Sequence, residues 1–223
     1  MNVEQARFNM IEQQIRPWDV LDAHVLDLLA AVRREDFVPP AHRALAFADL
    51  EIPLKPGEQA VAAGQVMLAP RVDARMLQDL EVKPTDRVLE IGAGSGYMAA
   101  LLAASAERVV TLEIDPDLVE FARENLRSAG VANADVRQAD GARDPIPDGP
   151  FDVIVLSGSV AEVPQKLLAL LRDGGRLGAY VGQAPMMRAT LVRRQGERFE
   201  TTQPWDVVVP RLRHFPEPSS FKF

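Results

Sequence analysis

The sequence predicts an α/β protein: a doubly wound, mostly parallel sheet with an N-terminal helical segment and a C-terminal antiparallel hairpin. Three observations carry that expectation. Val88–Ile91 is an apolar run that passes into three alternate glycines, Gly92, Gly94 and Gly96, and then into a strong helix former, Tyr97–Ala104. Strand-like and helix-like patterns alternate from there to Val181. Beyond them, Thr190–Arg194 and Phe199–Thr202 flank Gln195-Gly196-Glu197, as in a hairpin.

The elements follow in order. Residues 3–15 read as a helix with Ala6, Met10 and Ile11 on one face, ended by Pro17. Asp22 caps a second helix whose stripe is Val25, Leu28, Leu29 and Val32. Residues 41–70 have little periodicity: a short strand within Ala46–Leu54, then a turn at Lys55–Glu58. Pro70 opens a helix over Arg71–Leu80. After the glycine loop come strands at Val109–Asp115, Ala134–Gln138, Phe151–Gly158 and Arg176–Val181. The helices between them start at Asp115-Pro116, ending at Gly130, and at Pro164, ending at Arg172. Trp205–Pro210 is expected to add an edge strand. The chain reads as one domain over 1–223, with a substrate-side segment at 1–80, a ligand-binding core at 81–185 and C-terminal strands and tail at 186–223.

Composition narrows the function. At 223 residues the chain can bury a substantial core, and 47% hydrophobic residues is ordinary for a globular protein. No apolar run reaches the roughly 18–20 residues of a membrane span. No signal-peptide pattern is present, and with no cysteine in the chain a cytoplasmic protein is expected. A net charge of −7 disfavours a nucleic-acid partner. The three histidines, His24, His42 and His214, lie far apart and show no metal-ligand spacing, so no metal is expected.

The ligand is read from the glycine loop and the acids around it. A dinucleotide fingerprint needs a third glycine five positions after the first, where this chain has Tyr97. No Gly-Lys-Ser/Thr follows, which excludes a P-loop. Glu90, expected beside the loop, would repel a pyrophosphate and attract the sulfonium and ammonium of S-adenosylmethionine. Glu113, ending the next strand, is placed for ribose hydroxyls. Asp140, with Gly141 after the third, is placed for an adenine amino group. Three acids at successive strand ends point to S-adenosyl-L-methionine rather than NAD.

Several motifs together resemble the protein-L-isoaspartate O-methyltransferase family of Rossmann-like, adenosylmethionine-dependent methyltransferases. They are Met10–Arg16, Val32–Pro39, Ala46–Asp49, Gly64-Gln65, Val72–Met76, Val88–Tyr97, Asp140-Gly141, Phe151-Asp152 and Gly174–Leu177. The similarity spans roughly residues 5–185. The resemblance implies carboxyl methylation of isoaspartyl residues in damaged proteins. It also implies a cofactor set of Glu90, Gly92, Ala93, Gly94, Ser95, Gly96, Glu113, Ile114, Asp140 and Gly141. After Gly-Gln the family reads Thr-Ile-Ser-x-Pro. Here Val66-Met67-Leu68-Ala69-Pro70 puts Leu68 at the Ser position, so no catalytic residue is assigned, and Asp49 is a candidate on the substrate side. Lys55–Ala63 is longer than is usual there. The alternatives are a methyltransferase of the same fold with another small acceptor, or a non-catalytic adenosylmethionine-binding protein. An ionised carboxylate acceptor needs no general base, so the lack of a candidate His or Cys fits carboxyl methylation.

Overall fold

The computed structural model describes residues 2–217; the last part of the expected C-terminal tail, residues 218–223, lies outside them. The N-terminal segment holds helices α1 (Val3–Met10) and α2 (Ala23–Ala31), strand β1 (Ile52–Pro53), helix α3 (Glu58–Ala62), strand β2 (Val66–Met67) and helix α4 (Pro70–Leu80). The core follows as β3 (Arg87–Ile91), α5 (Tyr97–Ala103), β4 (Arg108–Glu113), α6 (Pro116–Ser128), β5 (Ala134–Gln138), β6 (Phe151–Val160), α7 (Gln165–Leu168) and β7 (Leu171–Gln183). Strands β8 (Met186–Gln195) and β9 (Arg198–Asp206) close the sheet. Its order is β5-β4-β3-β6-β7-β8-β9, parallel from β5 to β7 and antiparallel from β7 to β9.

Local chemistry sets most element ends as the sequence suggests. Asp22 accepts from Val25 N–H at 3.1 Å, and Asp115 accepts from Asp117 N–H at 3.0 Å and Leu118 N–H at 3.3 Å. These carboxylates occupy donors that the first helical turn cannot pair internally. Gly130, with φ of 72°, follows the end of α6. The sheet divides the interior into two apolar layers: Leu89 and Ile91 of β3 face one, Val88 the other.

Four elements differ from the sequence reading. The helix expected over residues 3–15 is α-helical only to Met10, continues as a π turn over Ile11–Ile15, and ends in a 3-10 turn at Arg16–Trp18. The helix expected over Pro164–Arg172 is the single turn α7, because Leu171 already pairs with Phe151 in the sheet. The hairpin strands run well beyond the predicted bounds, since β8 pairs with β7 along most of its length. Trp205 and Asp206 belong to β9, and residues 207–210 lie outside the named strands.

A buried cation fastens the N-terminal segment to the core. The Arg34 side chain is fully buried; its Nε donates to Ala46 C=O at 3.1 Å and its Nη2 to Leu68 C=O at 2.7 Å. The guanidinium lies 5.1 Å from the Tyr97 ring centroid and 3.5 Å from Asp73 Oδ2. A buried charge needs several such partners to be tolerated. Here they come from the N-terminal segment, α4 and α5 together, so the layers around the glycine loop are fixed as one body.

Candidate active site

The site is a cleft at the carboxyl ends of β3, β4 and β5, where an open α/β sheet binds its ligands. Gly92 and Gly94 form its floor; both have positive φ, 97° and 53°, which a side chain would strain. Their N-terminal anchor is β4: the Gly92 and Ala93 N–H groups donate to Leu112 C=O at 2.8 and 3.2 Å. A Cβ on Gly94 would lie 3.2 Å from Leu54 Cδ1, so Leu54 forms the opposite wall.

Glu113 is the organising acid. Its Oε2 accepts from Gly94 N–H at 2.9 Å and its Oε1 from Asp115 N–H at 3.0 Å. Each oxygen keeps a lone pair, so a diol at the cleft can still be bonded while the loop is held. Ile114 and Asp115 continue the wall. Asp115 is also clamped from above: Lys55 Nζ donates to its Oδ1 at 2.7 Å and Gln65 Nε2 to its Oδ2 at 2.6 Å. Ala63, Gly64, Gln65 and Val66, which follow helix α3, thus roof the cleft.

Asp140 and Gly141 close the far end. Asp140 Oδ1 accepts from Ala142 N–H at 2.9 Å, and Oδ2 is 2.6 Å from His214 Nδ1. Burial works to raise this carboxyl; the His214 ring and the Ala142 N–H outweigh it and hold the group below the ordinary aspartate range. A C-terminal strap, residues 211–215, crosses the mouth. Leu212 N–H donates to Ser159 C=O at 2.9 Å, and Arg211, Leu212, Arg213 and Phe215 line the cleft.

Of the ten residues expected to hold the cofactor, Gly92, Gly94, Glu113, Ile114, Asp140 and Gly141 meet on these walls. The other four stand behind them. Ala93 and Ser95 are buried, and Ser95 C=O accepts from Asn125 Nδ2 at 2.9 Å, joining the loop to α6. Gly96 packs against α6, where a Cβ would lie 3.2 Å from Ala122 C=O. Glu90 does not itself line the cleft. It is fully buried, accepting from Thr111 Oγ1 at 2.6 Å and Ser157 Oγ at 2.7 Å. Burial pushes its carboxyl up to about 8 against those two hydrogen bonds. It reaches the cleft only through Ser157, which does line it.

Asp49 and Leu68 lie away from the cleft walls. Asp49 pairs with Arg71 in an adjoining groove. The Leu68 side chain is buried in the core, and its neighbours Val66 and Ala69 line the cleft and the groove respectively. The sequence reading missed the strap and the Leu54 wall. Neither carries a periodic or motif signal, because both lie outside regular secondary structure, where tertiary contacts set their place.

The strand order, glycine floor and acids at successive strand ends define a Rossmann-like methyltransferase fold. The family model for protein-L-isoaspartate(D-aspartate) O-methyltransferase matches residues 5–209, and the chain belongs to that family. It is 42% identical over 196 residues to a protein-L-isoaspartate O-methyltransferase of Methanoculleus marisnigri, covering 87% of this chain and 86% of the relative. A Koribacter versatilis enzyme of the same name is 36% identical over 197 residues, covering 88% and 86%. A Plasmodium falciparum structure, described as a putative protein-L-isoaspartate O-methyltransferase in complex with S-adenosyl-L-homocysteine, shares the fold. Its TM-score is 0.77 at 20% identity, over 96% of this chain and 99% of that one. No helix among the described residues is long and apolar enough to cross a membrane.

Proposed function

We propose that this protein transfers a methyl group from S-adenosylmethionine to the side-chain carboxylate of L-isoaspartyl residues in proteins, the first chemical step in repairing that damage. The observation that carries the reading is Glu113 at the end of β4, bonded to the glycine floor and still able to accept, in a chain of this family.

The residues present fit the cofactor. A cation and a diol suit a cleft whose polar wall is Glu113, Asp115 and Asp140, and the glycine floor leaves room that a Cβ would fill. When bound, the sulfonium supplies a methyl carbon activated for in-line displacement. The chain's own work is then binding and alignment: Glu113 accepts from the ribose hydroxyls, the glycine floor allows close approach, and Leu54 and Leu212 exclude water. The acceptor carboxylate is ionised near neutral pH and needs no base. One carboxylate oxygen forms the new C–O bond while the C–S bond breaks and its electron pair stays on sulfur. The products are a methyl ester and S-adenosylhomocysteine. Alignment supplies much of the acceleration in such a step.

The test is transfer of labelled methyl to an isoaspartyl peptide and its aspartyl control. Label in the first and not the second is expected; label in neither, with S-adenosylhomocysteine still bound, overturns the acceptor assignment. Leu68 is the observation that favours a second reading, methyl transfer to a different small acceptor, since an apolar side chain stands where the family carries a hydroxyl.

A further inference from the structure

The strap across the cleft carries a histidine in a backbone conformation that its residue type disfavours. His214 has a φ of 65°, in the left-handed region that an L side chain rarely enters. The chain is anchored on both sides of it. Leu212 N–H donates to Ser159 C=O at 2.9 Å, and Phe215 is buried in the apolar layer that holds Leu89 and Ile91. Between those anchors the His214 ring meets Asp140, with Nδ1 2.6 Å from Oδ2. An ionised carboxylate only accepts, so Nδ1 carries the proton. A strained residue held against a group that lines a ligand cleft points to a function for the contact.

Asp140 shows what the contact supplies. Its backbone is fixed from within the core. Ala139 N–H donates to Glu113 C=O at 3.0 Å, Asp140 N–H donates to Asp144 Oδ2 at 2.8 Å, and a Cβ on Gly141 would lie 2.6 Å from Ile91 Cγ2. The side chain has fewer ties. Oδ1 accepts from Ala142 N–H, and Oδ2 has His214. Two nearby cations do not take the place of the ring. Arg143 Nε stands 3.7 Å away on a mostly exposed side chain, and Lys166 donates to Ala142 C=O instead. Among the described residues, His214 is thus the one hydrogen-bond donor from outside the 139–144 turn that holds this carboxylate.

Each carboxylate oxygen keeps a lone pair for the cleft. An adenine amino group can donate to it. Hypoxanthine has a carbonyl oxygen at the same position, which sets one lone pair against another. A carboxylate fixed in place therefore selects between the two bases, and one free to swing selects less.

We infer that His214 is a positioning residue for the cofactor: from the strap, it locks Asp140 in the orientation that reads the adenine amino group. The strap itself thereby takes part in recognising the base. The inference rests on the proposed cofactor site, with Asp140 at its adenine end.

The test compares S-adenosylhomocysteine with S-inosylhomocysteine, its hypoxanthine counterpart, by calorimetry on the full-length protein. Two substitutions separate the hydrogen bond of the ring from the backbone turn. Glycine and asparagine both accept a φ near 65°, and only asparagine brings a donor, its Nδ2 as many bonds from the backbone as the Nδ1 of histidine. The wild-type protein should bind the adenine form about a hundredfold more tightly. His214→Gly should lower that ratio about tenfold, and His214→Asn should keep it within about threefold of wild type. Thermal unfolding without ligand checks that both variants fold. A ring that only props the strap would weaken both ligands alike in His214→Gly and leave the ratio unchanged. That result overturns the inference, as does a wild-type protein that does not distinguish the two bases, or an asparagine variant that loses discrimination as the glycine variant does. Every arm reads binding, so absent methyl transfer to an isoaspartyl peptide would count against the proposed acceptor alone.

Discussion

Leu212 stands directly in front of Gly92: a Cβ built on Gly92 would lie 3.0 Å from Leu212 Cδ2. The same side chain sits over Gly158, where a Cβ would lie 2.9 Å from it. A glycine just past the end of β3 and another in the adjacent β6 thus make the seat for one strap residue, at the edge of the cofactor cleft. Leu212→Ala removes the wall without touching the polar groups. S-adenosylhomocysteine should dissociate about tenfold faster, a change of roughly 1.4 kcal/mol, as read by stopped-flow displacement. An unchanged dissociation rate would mean that the strap does not retain the ligand.

Glu113 has two tasks, and its replacement should reveal both. Read from sequence alone, Glu113→Ala touches only the cofactor. The structure adds two backbone donors, Gly94 N–H and Asp115 N–H, that lose their acceptor. Glu113→Ala should therefore weaken S-adenosylhomocysteine binding by roughly 1.5–3 kcal/mol and destabilise the unliganded protein by roughly 1–3 kcal/mol. Calorimetry and thermal unfolding measure the two separately. Lower stability with unchanged affinity would leave Glu113 as a loop brace alone.

Glu90 should tie stability to pH. Its folded-state carboxyl is pushed up to about 8, mainly by burial, whereas an unfolded glutamate titrates near 4.3. Between those values the folded chain keeps a proton that the unfolded chain has released. The stabilisation is full below the unfolded pKa and is lost as pH rises through the folded one, by up to about 1.4 kcal/mol per pH unit. Asp73, raised by burial to about 7 against the opposing charge of Arg34, adds to the same trend. Urea unfolding at pH 5.5, 6.5 and 7.5 should show declining stability, and Glu90→Gln should flatten the decline. Equal slopes in the two proteins would mean that Glu90 titrates normally.

Glu90 also shows what strand alternation adds to a reading of the site. Residues of a strand alternate between the faces of the sheet. Leu89 and Ile91 face one apolar layer, so Val88 and Glu90 face the other, with Thr111 between the sheet and the helices. That alternation is readable in the sequence and turns the carboxylate to the same face as Val88, where Thr111 and Ser157 bond it. The strands, the caps at Asp22 and Asp115, and Glu113 were legible because each depends on a local pattern. The strap and the roof were not. Lys55 finds Asp115 at a separation of 60 residues and His214 finds Asp140 at 74, and neither pairing follows from spacing or periodicity.

Leu68→Ser restores the residue that the family carries, and the structure changes what to expect of it. On sequence alone, a hydroxyl at this position is placed to assist the acceptor, so the substitution reads as a gain of isoaspartyl activity. In the fold, the Leu68 side chain is 7% exposed and packs in the core, while its C=O accepts from the buried Arg34. Removing it opens a cavity, at roughly 2–5 kcal/mol for a large buried side chain, and leaves a hydroxyl seeking a partner. The variant should therefore be less stable, with no increase in kcat on an isoaspartyl peptide. Thermal unfolding and initial rates at saturating peptide measure this. An increase in kcat would show that residue 68 reaches the acceptor once substrate is bound, and that the apolar residue there does restrain the reaction.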